Sequence, residues 1–234
     1  MNISILTPTR IRPDNIDRLI NSALDTAAEP TKLEFIFYID NDDNLSEVKL
    51  NSMQEALGQD RVKYVKGDRI VLSEMWNKIQ KLATADIMMH CGDDIIFRTQ
   101  GWDDKVLDAF NEYPDKIVFV HGDDGFWGKD FGTHGFIHIR WVNTTGYFVP
   151  PYFSSDYNDT WLNDVSNGLG RRKYIDILTE HMHPNFRKAE YDQNHKDRLE
   201  RHRKDRVDIL YHELKHLRDE DIVKLKSIIE NYNR

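Results

Sequence analysis

The amino-acid sequence predicts an α/β fold, with a mainly parallel sheet flanked by helices and a helical tail at the C-terminal end. Two observations support this prediction. In the first half of the chain, short apolar runs of strand character alternate with segments whose apolar residues recur at helical spacing. Toward the C-terminus, only helical spacing recurs. Such alternation is typical of parallel sheets, because each helix returns the chain to the starting end of the sheet.

The first half contains four predicted strands and two predicted helices. The strands are short runs rich in apolar and β-branched residues, at 3–6, 33–39, 62–65 and 86–90. The first helix begins at Pro13, a residue suited to the first turn, and its apolar residues follow at spacings of three and four. The second helix covers about 73–83 and carries Met75, Trp76, Ile79 and Leu82 on one face.

The second half is less regular. Its apolar spacing predicts a helix around Trp102 to Phe110, a strand at 117–120 and a strand-like piece at 136–141. Two further helices are marked by apolar residues near the C-terminal end: Leu210, Leu214 and Leu217 for one, and Ile222, Leu225, Ile229 and Tyr232 for the other.

The composition is that of a soluble globular protein and restricts its function. Of 234 residues, 39% are hydrophobic and 31% charged, and no apolar run reaches the roughly 20 residues that a membrane span needs. The single cysteine, Cys91, excludes an internal disulfide and a cysteine-rich zinc site. The N-terminal residues lack the pattern of a secretory signal, so we expect a cytoplasmic protein.

The charge disfavours nucleic acid as the main partner, because the formal net charge is −8. One segment differs from this average: 196–206 holds six basic and three acidic residues. A solvated helix face is the favoured interpretation of this run, and a contact with nucleic-acid phosphates is the alternative.

Polar residues follow three predicted strands, at 7–10, 40–43 and 93–94. In parallel sheets ligands bind beyond the carboxyl ends of the strands, so we expect these clusters to meet at one edge. The pair Asp93-Asp94 either forms a turn or holds Mg²⁺ or Mn²⁺ against a diphosphate. Asp40 could accept hydrogen bonds from a nucleobase or ribose, whereas Asp42 and Asp43 fit an acidic turn better.

Three more sets of side chains are candidates for chemistry. Arg10 could bind a phosphate. His181 and His183 could supply an imidazole ligand to a metal, but Pro184 should keep His183 extended and send the two rings to opposite sides. A surface loop is the alternative for both histidines.

Asp156 and Asp159 lie where a helix is predicted to begin. Either could cap that helix, and either could act as the general base that removes a proton from a hydroxyl. The sequence leaves open which carboxylate faces the site. Their spacing would allow both to share one face of the first helical turn.

In their order along the chain these segments resemble family-2 glycosyltransferases of the GT-A fold. The resemblance rests on 3–10, 38–42, 92–94, 156–159 and the His183-Pro184 segment, and it covers about residues 1–190. It implies a GT-A glycosyltransferase domain at 1–190, with a nucleotide-sugar-binding half at 1–98 and an acceptor half at 99–190. A helical C-terminal extension would follow at 191–234. The segments 180–184 and 188–192 are also similar to small phage and bacterial members, which implies the host cytoplasm.

The resemblance also implies roles at the donor site. Thr7 and Pro8 would line the nucleotide pocket, and Asp40 would read the base, often uracil, which makes a UDP-sugar the expected donor. Asp93 matches the second acidic position of the Asp-x-Asp element, which binds ribose and metal, and Asp94 follows it near the diphosphate.

The resemblance further implies the metal and the chemistry. His183, with His181 as the second choice, would complete a site for Mn²⁺ or Mg²⁺. Asp159 or Asp156 would be the acceptor-side base of an inverting transfer to a hydroxyl. Asn77 matches an asparagine with a structural role.

One position departs from the family pattern. Cys91 occupies the first acidic place of Asp-x-Asp, and a thiol is a poor ligand for Mg²⁺ or Mn²⁺, which places more weight on Asp93 and His183. Cys91 also keeps open a rival function, a nucleotide-binding module without catalytic activity. A nucleotidyltransferase is less favoured, because its glycine-rich phosphate loop is missing from 7–14.

The acceptor is predicted only as a class. The segment 122–135 is expected to form part of its pocket, with Phe126 and Trp127 stacking on a sugar ring or a nucleobase. Trp141 and Phe148 are expected in the core. A saccharide is the default acceptor, and a hydroxymethylated base in phage DNA is the alternative. The sequence does not indicate an oligomeric state.

Overall fold

The fold is known from a computed structural model that describes residues 2–232. Met1, Asn233 and Arg234 lie outside the described residues, including the last two positions of the predicted extension at 191–234. The strands of the described part are β1 (Ile3–Pro8), β2 (Leu33–Asp40), β3 (Val62–Gly67), β4 (Ile87–His90), β5 (Ile95–Phe97), β6 (Phe119–Asp123), β7 (Gly135–His138) and β8 (Arg172–His181). The α-helices are α1 (Pro13–Thr26), α2 (Asn44–Leu57), α3 (Leu72–Gln80), α4 (Trp102–Asn111), α5 (Ile139–Thr145), α6 (Asn158–Leu169), α7 (Gln193–Lys204), α8 (Val207–Glu213) and α9 (Lys215–Tyr232).

The strands form one mixed, mostly parallel sheet in the order β3-β2-β1-β4-β7-β6-β8-β5. Strands β3, β2, β1 and β4 are parallel, whereas β7 runs antiparallel between β4 and β6. Because β1, β2 and β4 are neighbouring parallel strands, the residues that follow them emerge at the same edge. The predicted α/β fold with helical segments after it is confirmed.

Side chains alternate between two apolar layers on the faces of the sheet. Ile3 and Ile5 of β1 pack with α1, α2 and α4, whereas Leu6 packs with α3, α5 and α6 on the other face. All eight residues of β2 are buried, as expected for an inner parallel strand. This double burial fixes the strand ends, and therefore the edge at which the polar clusters meet.

The C-terminal helices pack against the second layer. Val207 and Tyr211 of α8 and Leu225 of α9 are buried there, beside Phe153 and Trp161. Helix α9 is also linked to α6, because the indole Nε1 of Trp161 donates to Asp221 at 3.1 Å. None of the helices within 2–232 is long and apolar enough to cross a membrane.

Several elements of the structure differ from the sequence predictions. Helix α2 was not predicted, because its apolar residues include the exposed Leu45 and Val48, which obscure the helical spacing of the buried ones in the sequence. The strand-like piece at 136–141 ends at His138, whose side chain accepts a hydrogen bond from Arg140 N and starts α5. The single helix predicted from Leu210 to Leu217 is two helices, which meet at Leu214.

The long strand β8 was also missed. Three of its first five residues are charged, and only two of its ten residues are buried, so no apolar run marks it. It pairs in parallel with β6 and antiparallel with β5. As a result, His181 lies at the end of an ordered strand and not in the surface loop that was the alternative.

Candidate active site

A cavity of about 390 Å³ lies beyond the carboxyl ends of β1, β2 and β4. It is lined by strand-end residues, by the loop before α6, by the segment after β8 and by α7. This is the edge at which the sequence predicts a ligand site. The predicted residues that line it are Pro8, Arg10, Asp40, Asp93, Asp94, Asp156, Asp159, His181 and His183.

Thr7 is the predicted site residue that does not line the cavity. It is fully buried within β1, and its neighbours Pro8 and Thr9 reach the cavity in its place. The reason is its position inside β1, since the strand ends at Pro8 and only the residues at and beyond that end reach the cavity. Asn77 has the structural role expected of it, since it accepts from Phe148 N at 2.8 Å and donates to Val149 O at 2.8 Å.

Asp40 combines an ion pair with an unused acceptor. Its Oδ2 accepts from Arg10 Nη1 at 2.7 Å, whereas its Oδ1 is buried and has no hydrogen-bond partner among residues 2–232. Burial raises the pKa of Asp40 despite Arg10. A buried oxygen without a donor is costly, so a ligand N–H or O–H at this position would be strongly favoured.

The loop after β1 positions two arginines, and the residue between them has an uncommon backbone conformation. Ile11 has φ 52°, which is unusual for a β-branched residue, and its N–H donates to Asp43 Oδ2 at 2.6 Å. The side chains on either side diverge: Arg10 pairs with Asp40, and Arg12 pairs with Asp93.

Asp93 is fully engaged by protein donors. Thr9 Oγ1 donates to its Oδ2 at 2.7 Å, and Arg12 Nη1 donates to its Oδ1 at 2.8 Å. Burial raises the pKa of Asp93, although Arg12 opposes this. Metal binding by Asp93 stays a prediction, and it would require this ion pair to open.

Asp94 is paired with a histidine. The Nε2 atom of His181 lies 3.2 Å from Asp94 Oδ2. Burial alone would raise the pKa of Asp94, but the hydrogen bond from His181 brings it below its ordinary value. Gly92 allows this arrangement, because a Cβ there would lie 2.8 Å from Asp94 Oδ1.

Both predicted histidines face the cavity. The rings of His181 and His183 are 5.1 Å apart, so the expectation that they point to opposite sides is wrong. Strand β8 ends at His181, and strand alternation does not extend beyond it. Pro184 does leave His183 extended, as expected.

Two further histidines carry buried, unpartnered ring nitrogens. His90 and His134 are 5% and 7% exposed, and neither ring finds a hydrogen-bond partner within the described chain. Burial lowers the pKa of His90 to about 3 and that of His134 well below its ordinary value. Both rings are therefore neutral at pH 7, and each offers one donor and one acceptor to a ligand in the cavity.

The two candidate bases lie in different surroundings. Arg198 Nε donates to Asp156 Oδ1 at 2.7 Å, and His202 Nδ1 lies 2.7 Å from Asp156 Oδ2. Asp159, half-buried in the first turn of α6, has no cation in contact among the described residues. Burial raises its pKa to about 6, which suits a general base at neutral pH.

The expectation that both carboxylates share the first helical turn is wrong. Tyr157 has φ 72°, a left-handed conformation that starts α6 at Asn158 and leaves Asp156 in the preceding loop. The conformation of Tyr157 therefore places the two carboxylates in different surroundings: Asp156 pairs with Arg198 of α7, whereas Asp159 lies in the first turn of α6.

The donor set fits a divalent cation only in part. Within residues 2–232, no three His, Cys, Asp or Glu side chains gather closely enough to hold a metal ion by themselves. Asp94 and His181 do lie as close together as two neighbouring ligands of one cation, and phosphate oxygens could complete the shell. Cys91 adds nothing, since burial raises the pKa of its thiol. His183 faces Arg198 at 3.3 Å, a cationic neighbour that disfavours metal there.

The predicted acceptor segment, 122–135, contributes part of the cavity wall. Trp127 and His134 line it, whereas Asp124 is structural and accepts from Trp127 N at 2.7 Å. Phe126 lies outside and stacks on Phe186 with ring centroids 4.2 Å apart. Trp141 and Phe148 are buried in the core, as expected.

The sequence interpretation missed four arginines of the cavity: Arg12, Arg69, Arg198 and Arg201. The last two belong to α7, whose basic run was expected to face solvent. In the structure α7 lines the cavity, and ion pairs hold it there: Arg12 with Asp192, Arg198 with Asp156, and Arg69 with Asp197.

Comparison with known proteins identifies a family for most of the chain. A family model described as glycosyl transferase family 2 matches residues 4–178. A search among curated proteins returns no match. Cytoplasmic placement and a phage origin stay predictions.

Solved structures show the same fold at low sequence identity. A mannosyltransferase, PcManGT from Pyrobaculum calidifontis in complex with GDP-Man and Mn²⁺, is 12% identical with a TM-score of 0.59, over 97% of this chain and 73% of that one. TarS 1–349 of S. aureus in complex with UDP-GlcNAc is 14% identical with a TM-score of 0.56, over 100% of this chain and 92% of that one. Against the longer S. aureus TarS chain the values are 13% and 0.58, over 86% of this chain, which spans only 43% of that one. The predicted GT-A type of fold is confirmed.

Proposed function

Since this chain belongs to glycosyl transferase family 2, we propose that it transfers a sugar from a nucleotide-diphosphate donor to a hydroxyl acceptor with inversion at the anomeric carbon. One observation carries the proposal: Asp40, Asp94 and Asp159 open into a single cavity at the carboxyl edge of the sheet. These three carboxylates are suited to different parts of the reaction, because their partners differ.

Asp40 is assigned to the nucleobase. Its buried Oδ1 lacks a donor within 2–232, and the imide N–H of uracil would supply one. A UDP-sugar is therefore the first donor to test. Guanine also presents N–H donors, so a GDP-sugar is the second.

Asp94 and His181 are assigned to a divalent cation, Mn²⁺ or Mg²⁺, which when bound would neutralise charge on the leaving diphosphate. Asp93, held by Arg12 and Thr9, keeps the Arg12 guanidinium directed into the same cavity. His183 would contact the donor as a neutral ring, because burial lowers its pKa to about 4.

Asp159 is assigned as the base. It removes the proton from the acceptor hydroxyl, and the oxygen attacks the anomeric carbon on the face opposite the diphosphate. The bond to the diphosphate oxygen breaks as the new glycosidic bond forms, so one displacement inverts the configuration. A pKa of about 6 leaves Asp159 ionised at pH 7 but still basic enough to accept a proton.

The acceptor is assigned to the aromatic side of the cavity. Trp127 lines the cavity and is 48% exposed, so its indole face is available for stacking on the apolar face of a sugar ring. A saccharide acceptor is proposed on this basis. A hydroxymethylated base in DNA could stack on the same indole and is the alternative to include in the acceptor assay.

The test is a donor screen followed by turnover. Thermal unfolding with UDP- and GDP-sugars, with and without Mn²⁺, should single out one donor, because a ligand of the folded state raises its stability. That donor should then be hydrolysed slowly without acceptor and transferred when saccharides are supplied. The anomeric coupling constant of the product, measured by NMR, tests inversion.

The variant Asp159→Asn serves as the control for turnover. It should still bind the donor but hardly turn it over. A donor that binds tightly while neither wild type nor variant consumes it would contradict the proposal and support a non-catalytic binding module.

A further inference from the structure

Helix α7 lies outside the residues that match the family, 4–178, yet it forms one wall of the cavity. Among residues 2–232, five arginines line this cavity: Arg10, Arg12, Arg69, Arg198 and Arg201. Four of them pair with carboxylates of the protein. Arg201 is different, since no carboxylate in residues 2–232 lies within ion-pair distance of its guanidinium.

Arg201 is also incompletely hydrogen-bonded. Its Nε is buried and has no acceptor within the described part of the chain. Burial lowers its pKa, and the like charge of Arg69 lowers it further. A guanidinium next to another cation, with a buried N–H unused, is unfavourable unless an anion occupies the space that it faces.

The position of Arg201 suggests which anion. Arg201 lines the same cavity as Asp40 of the proposed nucleobase site and Asp156 of the loop before the proposed base. In a nucleotide-sugar the diphosphate connects the base-bearing ribose to the reacting sugar. A diphosphate bound between these two sites would meet Arg201 and Arg69 together.

We propose that Arg201 of α7, with Arg69, binds the diphosphate of the donor, so that the C-terminal helix completes the donor site. The inference rests on the proposed function. A guanidinium donates two parallel hydrogen bonds to phosphate oxygens and needs no metal to do so. This wall would therefore stabilise the leaving diphosphate alongside the cation, at a site where the residues offer few metal ligands.

The test measures pyrophosphate binding by calorimetry in the presence of EDTA, which removes the metal contribution. Wild type is compared with Arg201→Gln, and Arg203→Gln is the matched control, an exposed arginine on the same helix. We expect Arg201→Gln to weaken pyrophosphate binding about tenfold or more and Arg203→Gln to change it less than about twofold. Arg201→Lys should fall between them, because it keeps the charge and loses the fork of donors.

Two results would overturn the inference. Arg201→Gln could bind pyrophosphate as tightly as wild type, or Arg203→Gln could lose as much affinity, which would indicate attraction by net charge alone. Circular dichroism melts verify folding, and Arg201→Lys keeps the test valid if the glutamine variant is unstable.

The result also separates this inference from the proposed function. Pyrophosphate binding that depends on Arg201, together with a wild type that turns over no nucleotide-sugar, would support the anion site and overturn the transfer reaction. Turnover by wild type with unchanged pyrophosphate binding in Arg201→Gln would support the transfer reaction and overturn the role of Arg201.

Discussion

The two walls of the candidate site are held in place by different forces. The strand-end wall follows β1, β2 and β4, whose residues are all buried, and it carries Asp40, Asp93 and Asp94. The α7 wall buries a single residue, His195, along its whole helix. It is held over the cavity by ion pairs, and the one between Arg12 and Asp192 has its carboxylate 40% exposed.

This difference sets how firmly each wall is positioned. Burying one apolar side chain contributes about 1.5–3 kcal/mol. An exposed ion pair contributes about 0–1 kcal/mol and weakens as salt screens it. The strand-end wall is therefore fixed by the fold, whereas the position of α7 depends on a few charges. We therefore expect the strand-end wall to hold groups whose position must be fixed, such as Asp94. We expect the α7 wall to hold groups that can adjust their position to the bound donor, such as Arg201.

The largest expected effect is on kcat, and it distinguishes the role of Asp159 from that of Asp156. Asp159→Asn should lower kcat about a thousandfold, because it removes the base. Asp156→Asn should lower kcat less than about tenfold and should chiefly raise the KM for the donor, since it frees Arg198 and His202 of α7. Steady-state kinetics on both variants makes the comparison.

A pH profile strengthens this test. Wild-type kcat/KM should rise with pH through about 6, as Asp159 loses its proton, and this limb should vanish in Asp159→Asn. A larger loss of kcat in Asp156→Asn than in Asp159→Asn would reverse the two assignments.

The strand-end wall could largely be predicted from the sequence, and the α7 wall could not. Apolar runs locate β1, β2 and β4, and the carboxyl-edge rule then brings Asp40, Asp93 and Asp94 together. Arg69 and Asp197, by contrast, are 128 residues apart in the chain, and no local pattern connects them. A charged helix is predicted to face solvent unless its partners are known. The sequence therefore could not predict that Arg201 lines the cavity.

The roles of Asp156 and Asp159 were undecided for a different reason. Both residues are aspartates, only three positions apart, so the local sequence does not distinguish which of them is the base. Their separation depends on the left-handed conformation of Tyr157, which a bulky residue adopts only when its surroundings impose it. Here its ring stacks on Tyr211 with centroids 4.5 Å apart, a contact between distant parts of the chain.

The next largest expected effect is on kcat/KM and its dependence on Mn²⁺, and it tests the carboxylates of the strand-end wall. Asp94→Asn should lower kcat/KM about a hundredfold and remove the dependence on Mn²⁺, because it weakens the Asp94–His181 pair. Asp93→Asn is the comparison, since Asp93 is engaged by Arg12 and Thr9. Activity measured against Mn²⁺ concentration should keep its dependence in Asp93→Asn. The opposite pattern would show that Asp93 is the ligand and that its ion pair opens.

A smaller effect is expected when α7 is loosened. Asp192 caps α7, accepting from His195 N at 3.0 Å, and also pairs with Arg12. Asp192→Ala removes both contacts, which should cost about 1 kcal/mol and raise the KM for the donor about fivefold, with kcat little changed. Asp205→Ala, which removes an exposed carboxylate at the other end of α7, is the control.

Ionic strength tests the same wall without a mutation. The wild-type KM for the donor should rise with added salt, as the pairs that hold α7 are screened. The Asp192→Asn variant, which already lacks one of these pairs, should respond less. If the KM of Asp192→Asn equalled that of wild type at low salt, α7 would be held by its packing and not by its charges.

The smallest effect is on stability, and it has the opposite sign to the effect on activity. The fold raises the pKa of Asp159 from 3.8 to about 6, so it favours the protonated carboxyl. The ionised form therefore destabilises the native state, with the penalty growing as pH rises from about 4 and complete above about 6. Asp159→Asn cannot ionise and escapes this penalty. We expect it to be more stable than wild type by about 1 kcal/mol at pH 8, a value that allows for solvent screening of a half-buried group, and by about half as much at pH 5. Urea unfolding at the two pH values measures the difference. A variant that is equally stable at both would mean that the carboxylate is solvated, and its assignment as a base tuned by burial would lose its support.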